Sequence, residues 1–320
     1  MSAFTPFGLI GRGKLNIFIY HSVKAAPDPL QPSEPDARRF DAILGFLRRW
    51  FTVLPLAEAA QRLADGTLPS AAACITLDDG YADNFTRLLP LLERHELPAT
   101  IFVADGYLDG GCMWNDVIIE AVRHCRAEAL DLSAEGLPVV ALGSLEARRH
   151  AIDILLPLVK YRPISERTPL AATIARRAAV VPSSDLMLTT SQLQSLSRSP
   201  LVTIGAHTHS HPILAVEDEA TARAEMTASK LRLEALTGGP VTLFAYPNGR
   251  PGQDYTARDV GLARAAGFEA AVSTATGFAT VDSDRFQLPR FTPWDRTLPR
   301  FAVRMARHLA GSSTTAAFAA

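Results

Sequence analysis

The chain has 320 residues, 48% of them hydrophobic and 20% charged, with a formal net charge of -1 and a pI near 6.7. That balance belongs to a globular protein able to bury a large core, and excludes a disordered or strongly charged chain. It leaves no overall electrostatic footprint for nucleic acid or for an anionic membrane surface, so a small or neutral polar partner is expected.

Near the start, Phe4, Phe7, Leu9 and Ile10 are apolar, but Arg12 and Lys14 interrupt them and no small-residue cleavage site follows. Nowhere do about 18 to 20 apolar residues run without charges. Neither a signal peptide nor a transmembrane helix is expected, and the reading is cytoplasmic. Short β-rich runs at 15–20, 74–77, 99–103, 202–206, 241–246 and 270–274 read as buried strands. Helical spacing of apolar residues over 36–50, 56–64, 83–96, 217–236 and 256–266 separates them. The alternation predicts a parallel α/β arrangement in one domain over 1–320. From about 117 to 196 the pattern turns to Ala, Leu, Arg and Glu with Pro breaks, which predicts a helical insertion packed on a barrel. Ser191 and Gln194 fit a capping box at its last helix, and the small-residue tail 311–320 is expected to fray. Three cysteines, Cys74, Cys112 and Cys125, show neither an even count nor a metal-binding or redox spacing.

Two strand ends carry the chemistry. Ile75-Thr-Leu-Asp-Asp-Gly80 stops on adjacent carboxylates, and Gly205-Ala-His-Thr-His-Ser-His-Pro212 follows another apolar run. Asp79, His207 and His211 form an Asp/His/His set that leaves positions open on a divalent ion, as catalytic sites do. His207 and His211 share a face if the chain turns helically after the strand, with His209 pointing elsewhere. A metal there would lower the pKa of water from about 15.7 to roughly 7, with Asp78 free to act as general base. Adjacent strand residues point to opposite faces, so both carboxylates converge only if the strand ends between them; Gly80 supplies that break. Backbone N–H groups near Tyr81 are candidates to hold an oxyanion. The bland alternatives are a helix cap or turn for the acids and a polar loop for the histidines.

Thr76-Leu-Asp-Asp-Gly80 resembles the first motif of the polysaccharide deacetylases, carbohydrate esterase family 4, usually Thr-Phe-Asp-Asp-Gly. His207-Thr-His-Ser-His-Pro212 resembles the second motif, Pro98-Ala-Thr-Ile-Phe-Val103 the strand after the first, and Phe244-Ala-Tyr-Pro-Asn-Gly249 the third-motif region. The resemblance runs from about Leu15 to Phe301, the insertion excepted. It implies an irregular (β/α) barrel of the NodB homology type, with Asp78 as base and Asp79 as ligand. It departs in two places, and in the first Ala245 stands where many members have an arginine that orients the base. The late Leu-x-His motif is not evident either, and His308, in a C-terminal helical stretch, is not promoted to its role.

Tyr20-His21 is similar to a pair that opens the domain in the branch resembling exopolysaccharide (poly-N-acetylglucosamine) deacetylases, which makes His21 the candidate general acid. Arg290, in Leu288-Pro-Arg-Phe291, is similar to a late arginine of that branch and is the candidate partner of Asp78. The alternatives are a histidine hydrogen-bonded at a strand end and a surface ion pair. Gly80, Tyr81, Trp114, Asp116, Tyr246, Pro247 and Asn248 are the candidate substrate-binding residues, the indole as a sugar platform or as core. Trp294 is a further platform candidate.

The resemblance implies a metal-dependent hydrolase that removes N-acetyl groups from an N-acetylated sugar or polysaccharide precursor. The metal is expected to be zinc, with Co, Ni or Mn as alternatives. A deacylase of small non-carbohydrate amides and a catalytically silent carbohydrate-binding relative are the other readings.

Overall fold

In the computed structural model, which describes residues 6–311, seven parallel strands form a nearly closed barrel with helices around it. They are β1 (Leu15–Tyr20), β2 (Ala72–Leu77), β3 (Ala99–Val103), β4 (Val202–Ala206), β5 (Leu243–Ala245), β6 (Ala270–Thr276) and β7 (Leu288–Arg290), hydrogen-bonded in that order. Every residue of β1, β2 and β3 is buried, which is why these strands read as near-continuous apolar runs and not as alternating ones. The barrel closes just past β7. Phe291 N donates to Ile17 O at 2.8 Å and Ile19 N to Phe291 O at 3.1 Å.

Strands β2 and β6 each run two residues beyond the expected bounds, and two others depart further. The strand expected over 241–246 shrinks to Leu243–Ala245, between Pro240 and Pro247. The β7 strand was not anticipated, because Pro289 sits inside it and removes an N–H from the ladder. Helix α1 (Ala37–Trp50) starts where Asp36 accepts the Arg39 N–H, and α2 (Leu56–Ala64) lies where its periodicity puts it. The helix expected over 83–96 is broken into a π-helical turn, Asn84–Leu88, and α3 (Leu89–His95), immediately after the carboxylate pair.

Residues after β3 build α4 (Trp114–His124), α5 (Leu145–Lys160) and α6 (Ile164–Arg177). This stretch is not wholly helical, since Ala129–Leu130 and Val140–Ala141 pair as a small antiparallel ribbon. It has its own apolar cluster, with Ile118, Val122, Leu155, Val159 and Ile174 among its members. The next helix, α7 (Thr190–Ser197), instead buries Leu193 and Leu196 in the barrel's cluster. Its capping box is Thr189 with Gln192, not Ser191 with Gln194. The Ser/Thr-x-x-Gln pattern occurs twice there, and only Thr189 has the extended backbone a cap needs.

Helices α8 (Glu219–Thr237) and α9 (Ala257–Ala265) complete the wall, and α10 (Leu298–Ala310) buries Phe301, Met305 and Leu309. Residues 312–320, most of the tail expected to fray, lie outside the described residues. No described helix is long and apolar enough to cross a membrane.

Candidate metal centre and active-site cleft

The carboxylate pair is split by backbone geometry. β2 ends at Leu77, and the Asp78 N–H still donates to Tyr20 O at 2.9 Å, so Asp78 continues the strand's hydrogen bonding. Asp79 then adopts φ 78° and Gly80 φ 85°, both left-handed. The break expected at Gly80 therefore begins one residue earlier, on Asp79 itself, a conformation that costs energy for a residue with a Cβ. Gly80 is confined as well, because a Cβ there would sit 3.0 Å from Val103 Cγ1. The Ala82 N–H donates to Leu186 O at 2.8 Å, so that amide is not free for an oxyanion and the expectation narrows to Tyr81.

The histidines follow β4 in a loop, not in the helical turn expected. Thr208 and His211 have φ 64° and 53°, and this double reversal brings the two imidazoles to 4.8 Å between ring centroids. Nε2 of His207 and Nε2 of His211 each lie 3.4 Å from Asp79 Oδ1. Donor atoms of Asp79, His207 and His211 all fall within 4.8 Å of one another, and all three residues are buried. Metal bonds of about 2.0–2.1 Å in a tetrahedral arrangement require donors about 3.3 Å apart, so the set fits a small divalent ion.

Protonation states fit too. Nδ1 of His207 lies 2.7 Å from Ala245 O, which makes that nitrogen the donor and leaves Nε2 with its lone pair towards Asp79. Burial pushes the His211 imidazole down to about 3 against the opposing pull of Asp79, so it is neutral. His209 points elsewhere, with Nδ1 2.9 Å from Asp105 Oδ2.

Asp78 does not join the donor set. Arg290 Nη1 and Nη2 donate to its two oxygens at 2.7 Å each, and Arg290 Nε donates to Ser273 O at 2.8 Å. Arg290 is wholly buried, so the alternative of a surface ion pair is excluded. Burial opposes ionisation of Asp78, and the Arg290 guanidinium, through its charge and its hydrogen bonds, outweighs it, keeping the carboxyl below its ordinary value. Thr76 Oγ1 accepts a 3.2 Å bond from Arg290 Nη1 while donating to Phe18 O at 2.8 Å, tying this pair to β1.

The centre opens into a cleft of about 700 Å³. From the barrel, His21, Asp78, Asp79, His207, His211 and Asn248 line it. Trp114, Ile119, Leu156, Lys160 and Tyr161 of the insertion line it as well, together with Tyr81 and Trp294. His21 Nδ1 lies 3.8 Å from Glu34 Oε1. Burial lowers its imidazole, but the Asp79, Glu34 and Asp78 carboxylates together raise it above the ordinary value.

Four candidate substrate residues do not line the cleft. Tyr246 is buried in the core, stacked 3.9 Å from Tyr255 with its hydroxyl donating to Phe286 O. Pro247 is buried beside it, and Gly80 serves the turn. Asp116 lies behind Tyr81, accepting its hydroxyl at 3.0 Å. Burial, with Asp79 adding to it, pushes the Asp116 carboxyl up to about 7.

Several groups at the site escaped the sequence reading. Glu225 accepts the N–H groups of His209 and Ser210 at 2.9 and 2.7 Å, and the Tyr107 hydroxyl donates to Ser210 O at 2.8 Å. Arg167 donates to His211 O at 2.8 Å. None has a local sequence signal, because each is brought to the loop from a different helix or turn.

The description "Polysaccharide deacetylase" belongs to a family model that matches residues 65–143 and 164–271, together more than half of the chain. YxkH of Bacillus subtilis (strain 168), which carries the same family name, is 33% identical over 92 residues, 28% of this chain and 32% of that protein. The matched stretch thus spans about a third of that relative. Among solved structures, the deacetylase PplD of Streptococcus pyogenes in complex with acetate superposes with a TM-score of 0.60 at 18% identity, over 92% of this chain and 98% of that one. IcaB from Ammonifex degensii gives 0.59 at 18% identity, over 93% and 98%. At such identities the likeness is one of fold, and it agrees with the barrel described above. The interrupted match falls on β2, β3 and β4, the strands that carry both motifs, and the chain belongs to the polysaccharide deacetylase family.

Proposed function

We propose that the chain is a divalent-metal-dependent N-deacetylase acting on an N-acetylated sugar or polysaccharide precursor. The observation that carries this reading is the division of labour in the carboxylate pair. Asp79 faces His207 and His211, while Asp78 is held ionised by a buried bidentate arginine beside them. Asp79, His207 and His211 would hold the ion, most readily zinc, with Co, Ni or Mn as alternatives. When bound, it supplies Lewis-acid polarisation of an acetyl carbonyl and acidification of water.

The remaining work falls to side chains of this chain. Asp78 accepts the proton of the attacking water, and Arg290 fixes the orientation of that carboxylate through its fork of donors. His21, whose protonated form the surrounding carboxylates favour, donates to the departing amine nitrogen. Trp114, Tyr81 and Asn248 line the cleft where the sugar would lie. The silent reading was motivated by the missing arginine at Ala245 and the missing late histidine; Arg290 against Asp78 answers the first, and His21 in the cleft is the candidate to answer the second.

Acetate release from N-acetylglucosamine oligomers tests the proposal. Wild-type protein loaded with zinc is expected to release acetate, and Asp78→Asn to lose on the order of 10²-fold or more in turnover while still taking up metal. Release at the wild-type rate by Asp78→Asn would remove Asp78 as the base. A panel pairing acetylated sugars with small acyl amides decides the substrate class, and activity confined to the amides would overturn the carbohydrate assignment.

A further inference from the structure

Arg167 is an unusual residue to find in a core. It lies on α6, in the insertion, with no exposed surface, and no carboxylate of the described residues forms an ion pair with it. Its guanidinium stacks 5.0 Å from the Trp114 ring, and Nε and Nη1 have no hydrogen-bond partner among the described residues. Its bonds go to the metal loop: Nη2 donates to His211 O at 2.8 Å and, more weakly, to Ser210 O at 3.5 Å. Burying an unpaired cation is costly, and an apolar side chain of the same length would fill the space without that penalty.

The two histidines differ in what holds them. A metal-binding imidazole is ordinarily oriented by a hydrogen bond on its other ring nitrogen. His207 has this support, from Ala245 O at 2.7 Å. His211 does not, because its Nδ1 has no partner among the described residues. Its side chain must therefore be aimed through its backbone, and that backbone has the left-handed φ of 53°, which a β-carbon disfavours and which persists only if neighbours impose it. The His211 N–H is tied to Thr208 Oγ1 at 3.1 Å, and the carbonyl is tied to Arg167.

We propose that Arg167 is a positioning residue for the metal centre: by gripping the His211 carbonyl it holds His211 Nε2 towards Asp79, so the insertion sets the geometry of a ligand on the barrel. This rests on the functional reading above. Trp114, which lines the cleft, is the surface on which Arg167 leans, so the cleft wall and the metal loop share one support.

Zinc dissociation constants, measured by competition with a chromophoric chelator, test this on the whole chain. Arg167→Met should fold with an unfolding temperature at or above that of the wild type, because a buried unpaired charge is gone, yet bind zinc about 10–100-fold more weakly. Arg167→Lys, which can still donate to the carbonyl, should recover part of that loss. Arg123→Met, which removes another insertion arginine but one paired with Asp28, should leave zinc affinity unchanged. A purely structural arginine would show the opposite pattern, a lowered unfolding temperature with wild-type affinity in the folded fraction, and that result overturns the proposal. Should Arg167→Met fail to fold, the Lys variant decides: affinity within twofold of wild type overturns the proposal, and an intermediate loss supports it. A wild-type chain that takes up no zinc, cobalt, nickel or manganese defeats the functional reading itself, and this inference falls with it.

Discussion

Arg290 carries its charge into the barrel with no exposed surface, and the two oxygens of Asp78 account for two of its donors. Such a pair stabilises little in net terms, because desolvation of both ions offsets their attraction, but losing one partner leaves the other buried and uncompensated. Arg290→Met should therefore destabilise the fold by about 3–5 kcal/mol. Adding Asp78→Asn to Arg290→Met should restore much of that loss, which urea denaturation of the two single variants and the double variant would measure. Equal stability of Arg290→Met and the double variant would mean that the two residues are not coupled. The same variant tests the base from another side: without Arg290, burial acts unopposed by its largest counterweight, so the acidic limb of a pH–rate profile should move to higher pH. Asp78, Asp79 and His207 stood out as candidates because each follows the end of an apolar run, and His211 because it follows His207 in the same short segment. Arg290 was legible only through resemblance. It lies 212 residues from Asp78 in the chain, and no spacing rule connects them.

The elements were legible where burial writes itself into the sequence. Strands buried on both faces gave apolar runs with correct bounds at β1, β3 and β4, and α1 and α2 gave clear periodicity. What failed were elements stabilised by neighbours instead of by their own pattern. The β7 strand contains Pro289 yet closes the barrel, and the pair Ala129–Leu130 and Val140–Ala141 is too short to show a period. The metal loop has no periodicity at all, and its shape comes from Glu225, Tyr107 and Arg167. Helix α10 makes a prediction at this scale. Its His308 lies against Phe278 and Phe291, and burial, reinforced by Arg304 and Lys14, pushes the imidazole down to about 4. Between about pH 4 and 6.5 the unfolded chain binds a proton there that the folded chain does not, so stability rises with pH across that window and is lost on acidification. His308→Leu should flatten this dependence in thermal unfolding measured from pH 4 to 7, and an unchanged slope would assign it elsewhere.

At the scale of the whole molecule, the cleft is a seam between two apolar clusters. One packs between the barrel strands and their helices, and the other is drawn mainly from α4, α5, α6 and the small ribbon between them, with Leu30 joining from the segment before α1. Named ties across the seam are polar and few. Lys160 reaches Asp254 at 2.8 Å, the Ile164 N–H donates to Glu217 Oε1 at 2.8 Å, the Tyr81 hydroxyl donates to Asp116 at 3.0 Å, and Arg167 holds His211 O. A seam of this kind opens more readily than either cluster melts, because separating it exposes less apolar surface. Native-state hydrogen exchange should show amides of α5 and α6 exchanging as one group, at a lower opening free energy than those of β1, β2, β3 and β4. Zinc sharpens the expectation. If Arg167 grips a ligand's backbone, saturating zinc should raise the protection of α6 along with that of the metal loop, since opening α6 would then cost binding energy. Protection confined to the loop would mean that the ion and the insertion are held independently. A single opening free energy shared by α6 and the barrel strands in the metal-free chain would mean that the two clusters form one cooperative unit, with Arg167 among the contacts that weld them.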